Sequence, residues 1–191
     1  HPYIKPHHTF HDLLVIKCDL ETSDLVDRGI WKSSEEDRKR LSDMVADYCY
    51  KYVLEILKVS RPVIARLAEM YPLVLVSNFY GNIETILADF DLQYFKHIVE
   101  SAVVGIRKPD PRIFQLGVDA LRKVTGKSDK ELPASNILVV GDSFSKDIVP
   151  ANEIGCKTVW IKGVGWGNEE TDDSIPTFII KNIAELENIL G

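Results

Sequence analysis

No long basic run stands out along this chain, whose basic residues cluster no further than Arg38-Lys39-Arg40. Its 29 Asp and Glu outnumber its 23 Lys and Arg, giving a formal net charge of −6. Nucleic acids and anionic membranes select surfaces dense in Lys and Arg, so neither is expected as a partner. A small anionic substrate is not excluded, because one or two local cations suffice for it. Cysteine is also scarce: Cys18, Cys49 and Cys156 form no CxxC pair and are odd in number. A disulfide scaffold is therefore not expected, and a reducing, cytoplasmic setting is the simpler expectation. No segment is both apolar and long enough to span a bilayer, and no signal-peptide pattern opens the chain. The first residue is His1 rather than Met, which processing, cloning or a truncated reading frame would each produce. Internal repeats and low-complexity tracts are absent.

What is present is ordinary globular composition, 45% hydrophobic and 27% charged over 191 residues. That length allows one well-packed domain, or a core with a small accessory domain. From Pro72 onward short apolar runs alternate with helical patterns. Leu73–Val76, His97–Glu100 with Ala102–Val104, Ile137–Val140, Lys157–Ile161 and Phe178–Ile180 read as strands. Ile83, Ile86, Leu87 and Phe90 share one helical face, and Asp110-Pro111 reads as a helix start with Asp as cap. Ile148–Ile154 and Ile183–Leu190 read as further helices. Strands alternating with helices imply parallel pairing through right-handed crossovers, in a sheet covered on both faces.

The first sixty residues differ. Ser33-Ser34-Glu-Glu-Asp37 reads as a capped helix start with acids at the positive end of the dipole. Leu41, Met44, Val45, Tyr48, Tyr52 and Ile56 mark one face of a long helix, and a second helix is expected from Arg61-Pro62 to Met70. The expected organisation is a helical accessory domain over 1–60, incomplete, and an α/β core over 61–191.

Ligands of such sheets bind beyond the carboxyl ends of the strands. Asp142 and Asp147 lie there, five residues apart after the strand Ile137–Val140, with Gly141 permitting close backbone approach. Two hard carboxylates with room for water suit Mg²⁺. The plainer reading makes Asp142 a turn residue or helix cap, with Asp147 merely in the first helical turn. Ser77-Asn78 offers a hydroxyl and an amide at another strand tip, a pairing that turns also favour. Lys108, within Gly105-Ile-Arg-Lys-Pro-Asp-Pro111, can neutralise phosphoryl charge, although a single lysine is more commonly a solvated surface residue.

In combination these segments resemble the haloacid dehalogenase-like (HAD) hydrolase superfamily. Leu75-Val-Ser77-Asn78 is similar to its second motif, and Val104-Gly-Ile-Arg-Lys108-Pro-Asp-Pro-Arg-Ile-Phe114 to its third. Val140-Gly-Asp142-Ser143-Phe-Ser-Lys-Asp147-Ile, continuing through Ala151 and Gly155, is similar to its fourth. The resemblance covers roughly residues 60–165. It implies a three-layer, Rossmann-like parallel sheet with a partial helical cap. It also implies an Mg²⁺-dependent phosphatase of a small phosphorylated metabolite, working through an aspartyl-phosphate. In that scheme Ser77 and Asn78 bind substrate, Ser77 holding the transferring phosphoryl group. Lys108 stabilises that group's charge and the nucleophile. Asp142 ligates the metal, and Asp147 ligates it or orients its waters.

The family's first motif, Asp-x-Asp-x-Thr at the end of the first strand, has only a partial counterpart. Leu13-Leu-Val-Ile-Lys-Cys-Asp19-Leu-Glu21-Thr-Ser23 leads an apolar run into Asp19. Glu21 replaces the second aspartate, and Lys17 interrupts the run. The interval to Ser77 is also short for the usual cap insertion. Asp19 is thus one candidate nucleophile, and a motif upstream of His1 is the other. In the family the first strand lies between those ending at Val76 and Val140. Its loss would leave two strand edges unpaired unless Leu13–Ile16 substitutes or the edges close up.

Two other features invite ligand readings. His1, His7, His8 and His11 suggest a metal, but a mobile terminal loop is the plainer expectation. Gly163-Val-Gly-Trp-Gly167 lacks the strand–GxGxxG–helix setting of a nucleotide site, so a loop at the site rim is expected. The alternatives within the family are a haloacid dehalogenase and a phosphomutase. The alternative from outside is a non-catalytic member that keeps the fold for binding. The sequence carries no reading of oligomeric state.

Overall fold

Thr9 opens the first helix of the computed structural model, which describes residues 2–163 and 170–190. Its hydroxyl accepts from the Asp12 N–H while Asp12 accepts from the Thr9 N–H, a reciprocal cap that starts α1, Phe10–Asp27. The apolar run before Asp19 is therefore helical, in keeping with a helical first segment, and does not form the strand that a nucleophile motif at Asp19 would need. Only Val15 and Ile16 in that run are β-branched, and the cap with its helix-forming neighbours outweighs them.

The chain divides into two compact units, one of His1–Arg61 with Tyr80–Gln93 and one of Pro62–Phe79 with Tyr94–Gly191. The first holds α1, most of α2 (Glu35–Met70) and α3 (Ile83–Asp89). Arg38 is buried within it and donates to both carboxylate oxygens of Glu35. It also bonds the Asp19 carboxylate, the Asp19 carbonyl and the Thr22 hydroxyl. Residues 2–9, expected to be loose, are anchored. Ile4 is buried, Asn82 donates to the His8 carbonyl, and Thr85 donates to the Pro6 carbonyl.

Two helical expectations fail in instructive ways. Pro62 lies inside α2 rather than starting a new helix. Burial of Val63 and Leu67 offsets the roughly 3 kcal/mol that an internal proline costs. The apolar face of α2 is exposed: Tyr48 retains 74% of its accessible surface and Tyr52 63%. The helix instead buries Arg38, Ser42, Ala46 and Leu57.

The second unit is α/β, and every strand pairing in it is parallel. β1 (Val74–Ser77) pairs with β2 (His97–Glu100), and β3 (Leu138–Gly141) with β4 (Lys157–Ile161), which pairs with β5 (Phe178–Ile180). Ala102–Val104, expected to extend β2, forms a short helix instead, α4 (Ser101–Val104), closed by Gly105 at φ 71°. The helix after Asp110 is α5 (Arg112–Thr125). It begins one residue later than expected, with the Asp110 carboxylate accepting from the Arg112 N–H. The last helices are shorter than expected: a π-turn over Phe144–Ile148 precedes α6 (Val149–Glu153), and a 3₁₀ turn precedes α7 (Leu186–Leu190).

Helices cover both faces. Ile113, Phe114 and Val118 of α5 pack with Val99, Ile137, Ala151 and Cys156 on one side. Val63 and Leu67 of α2 pack with Val159, Ile180 and Leu186 on the other. Each fully buried side chain of this kind contributes about 1.5–3 kcal/mol. Gly117 lets α5 approach β1, since a Cβ there would meet Val76 Cγ2 at 2.8 Å. The parallel strands form two sheets, β1–β2 and β3–β4–β5, rather than one. Neither Leu13–Ile16 nor closure of the gap joins β1 to β3. Each keeps one edge without a ladder partner among the described residues.

The Cys156 thiol is pushed up to about 11 by burial. Because the thiolate is the reactive form, Ellman's reagent at pH 8 should titrate Cys49 in the native chain, Cys18 more slowly since burial pushes its thiol up as well, and Cys156 only after denaturation. A third reactive thiol in the native chain would contradict the packing around Cys156. Among the described residues no helix is long and apolar enough to cross a membrane.

Candidate functional site

Three of the sequence-derived residues meet through direct hydrogen bonds. Asn78, just past the end of β1, clamps the Lys108 backbone at both ends. Its Oδ1 accepts from the Lys108 N–H at 2.8 Å, and its Nδ2 donates to the Lys108 carbonyl at 3.0 Å. So held, Lys108 sends its ammonium to Asp147, with Nζ 2.6 Å from Oδ1. The pair is largely withdrawn from water, with side chains 15% and 8% exposed. Nζ also lies 5.8 Å from the centre of the Phe114 ring.

Asp147 is fixed from its other side as well. Its Oδ2 accepts from the Ser143 backbone N–H at 3.1 Å. It belongs to the π-turn Phe144–Ile148, which Ser143 caps by accepting from the Lys146 N–H. Such wide turns recur at functional sites because they redirect side chains within a helix. Gly141, the last ladder residue of β3, is pressed against this acid. A Cβ there would meet Asp147 Cβ at 2.3 Å and Cγ at 2.6 Å.

Asp142 follows Gly141 and is exposed, whereas Asp147 is buried. One carboxylate therefore faces solvent and the other is committed to a cation and an amide. Ser77 holds the final ladder position of β1, opposite Glu100 of β2, next to Asn78. Asp19 is not part of this arrangement. It sits inside α1, its carboxylate paired with Arg38 at 2.9 Å and 3.8 Å from the Lys39 ammonium.

The structure uses Asn78 differently from its sequence reading. Both amide atoms serve the Lys108 backbone, so Asn78 shapes the loop that presents the lysine. The Ser143 N–H is a participant that no side-chain pattern reveals, because every residue except proline carries that donor. Among the described residues, no group of three or more His, Cys, Asp or Glu converges on a possible metal position. The glycine-rich segment Gly163–Gly167 lies, beyond Gly163, outside the described residues.

Residues 26–155 match the family described as haloacid dehalogenase-like hydrolase. The chain belongs to that family. Among curated relatives of this HAD hydrolase, glyceraldehyde 3-phosphate phosphatase of Methanopyrus kandleri is 32% identical over 99 residues, covering 51% of the chain and 39% of the relative. The pyrimidine 5′-nucleotidase YjjG of Escherichia coli is 30% identical over 97 residues, with the same two coverages of 51% and 39%. The chain spans only 25–42% of the length of the curated relatives it matches. Among solved structures, the magnesium-bound HAD hydrolase YfnB of Bacillus subtilis aligns with a TM-score of 0.57 at 19% identity. That alignment covers 95% of this chain and 82% of YfnB. Likeness at that identity establishes the fold: an α/β HAD core.

Proposed function

We propose that this chain carries the charge-stabilising and metal-holding part of a phosphatase site that acts on a small phosphorylated metabolite. The supporting observation is the Lys108–Asp147 pair, held by Asn78 and the Ser143 N–H beside an exposed Asp142. A desolvated lysine fixed at a sheet edge stabilises negative charge more strongly than one in water, and it does not have to reorganise during reaction. Ser77, at the tip of the neighbouring strand, would donate its hydroxyl to the transferring phosphoryl group. Lys108 Nζ would hold the charge of that group and of the attacking carboxylate. The two relatives named above act, by their names, on small phosphate esters, which is the substrate class proposed here.

Mg²⁺ fits the residues present. It is held by one or two carboxylates and keeps several waters, which is what Asp142 with Asp147 behind it can supply. Asp142 would ligate the ion directly, and Asp147, both of whose oxygens are already engaged, would orient water. When bound, the metal would shield the repulsion between an anionic nucleophile and an anionic ester. The nucleophile would be an aspartate carboxylate attacking phosphorus, with the ester oxygen leaving and water later hydrolysing the aspartyl-phosphate. A strand seated between β1 and β3 would bring that aspartate to the same edge as Lys108. A non-catalytic reading has one observation in its favour: Asp19 is helical and paired with Arg38, and no described strand precedes β1.

Hydrolysis of p-nitrophenyl phosphate with Mg²⁺ separates these readings. The 191-residue chain should be inert, while a version extended upstream by an Asp-bearing strand should turn over. Turnover by the 191-residue chain that disappears in Asp19→Asn would restore Asp19 as nucleophile. An inert extended version would favour the non-catalytic reading.

A further inference from the structure

Trp160 takes no part in the site as described so far, yet two of its contacts converge on it. It stands opposite Gly141 in the β3–β4 ladder and is only 6% exposed. Its Nε1–H donates to the Asp142 carbonyl at 3.0 Å. Its ring packs on Phe144 with centroids 5.2 Å apart, and Phe144, Ile148 and Trp160 form a buried cluster of their own. On another side, Lys162 Nζ lies 4.8 Å from the ring centre and is itself tied to Asp173 at 2.7 Å.

The Asp142 carbonyl and the Ser143 N–H belong to one planar peptide unit, so they point in opposite directions and turn together. Trp160 bonds the carbonyl end, and the N–H end donates to Asp147 Oδ2 at 3.1 Å. Asp147 passes the constraint to Lys108 through Oδ1 at 2.6 Å, and Asn78 holds Lys108. An indole N–H can only donate, so it cannot accept a flipped peptide's N–H in exchange for the carbonyl. Donor, peptide, carboxylate and ammonium form one chain in which each bond polarises the next.

We propose that Trp160 is the positioning residue of the acid pair: its indole N–H sets the plane of the Asp142–Ser143 peptide, and through that plane the aim of Asp142, Asp147 and Lys108. Its packing against Phe144 and Ile148 holds the π-turn bearing Asp147 at the same strand. The inference deepens the phosphatase reading and rests on it for the metal, while the peptide clamp itself is independent of any reaction.

The test uses two substitutions that keep a buried ring and remove the donor. One is Trp160→Phe. The other is β-(3-benzothienyl)alanine at position 160, which replaces the indole N–H by sulfur at constant shape and remains available if the phenylalanine variant fails to fold. Two quantities are measured: solvent exchange of the Ser143 amide by NMR, and Mg²⁺ affinity by calorimetry. The expected result is Ser143 exchange faster by about tenfold and Mg²⁺ affinity weaker by roughly five- to tenfold, the loss of one hydrogen bond. The amides of Thr158 and Val159 in β4 should exchange as before, which separates aiming from general loosening. Unchanged Ser143 exchange in the folded variants overturns the clamp. Unchanged Mg²⁺ affinity with faster exchange overturns the positioning of the metal ligands. If the parent chain binds no Mg²⁺ at all, the metal-dependent reading fails and the metal-positioning claim with it, while Ser143 exchange still decides the clamp.

Discussion

Lys108→Met should unfold roughly 10 °C below the parent chain, because it strands the Asp147 carboxylate in a site almost closed to water. Asp147 is 8% exposed and Lys108 15%, so solvent does little to replace the lost ammonium. Removing one member of a buried pair costs about 3–5 kcal/mol, most of it the desolvation of the charge left behind. Removing both should therefore hurt less: Lys108→Met with Asp147→Leu should recover most of the deficit. Thermal unfolding of the single and double variants provides the check. A loss below about 1 kcal/mol in Lys108→Met would mean the pair behaves like an exposed surface bridge, contrary to its burial.

Gly141→Ala should be nearly as damaging, although it adds only one methyl group. That carbon would lie 2.3 Å from Asp147 Cβ. The atom it meets is attached directly to the backbone of the π-turn, so no side-chain rotation relieves the clash. Either β3 or the turn must shift, and overpacking of this kind costs about 1–3 kcal/mol. The shift would also pull Asp147 from the Ser143 N–H and from Lys108. Denaturant unfolding and Mg²⁺ calorimetry together test it: lower stability and at least tenfold weaker Mg²⁺ binding are expected. Full stability with unchanged Mg²⁺ binding would show that strand and turn separate freely.

The site was legible in the sequence to the extent that it depends on local signals. Strand tips after Val76 and Val140, the Gly141-Asp142 step and the segment holding Lys108 each stand out by composition. A parallel topology allows them to share one edge, since each follows the carboxyl end of a strand. Several participants were not legible. Asn78 read as a substrate contact, and the Lys108 peptide takes both of its amide atoms. The Ser143 N–H leaves no mark in the sequence at all. Trp160 read as one more apolar residue of a buried strand, because its donor matters only once the Asp142 carbonyl lies 3.0 Å away.

By itself the sequence determined the parallel α/β class, the order of the motifs and the residue types available for charge stabilisation. These follow from short-range rules: β-branched runs, glycine at a tight step, acids and a lysine just past strand ends. Tertiary structure decided what partners each residue meets. It made the run before Asp19 a helix tied to Arg38, left Tyr48 and Tyr52 in water, and divided the strands into two sheets. Periodicity identifies an apolar face or a strand, but which surface covers it and which edge pairs with it depend on residues distant in sequence. The charges of Lys108 and Asp147 were evident from the start; their approach to 2.6 Å was a property of the fold.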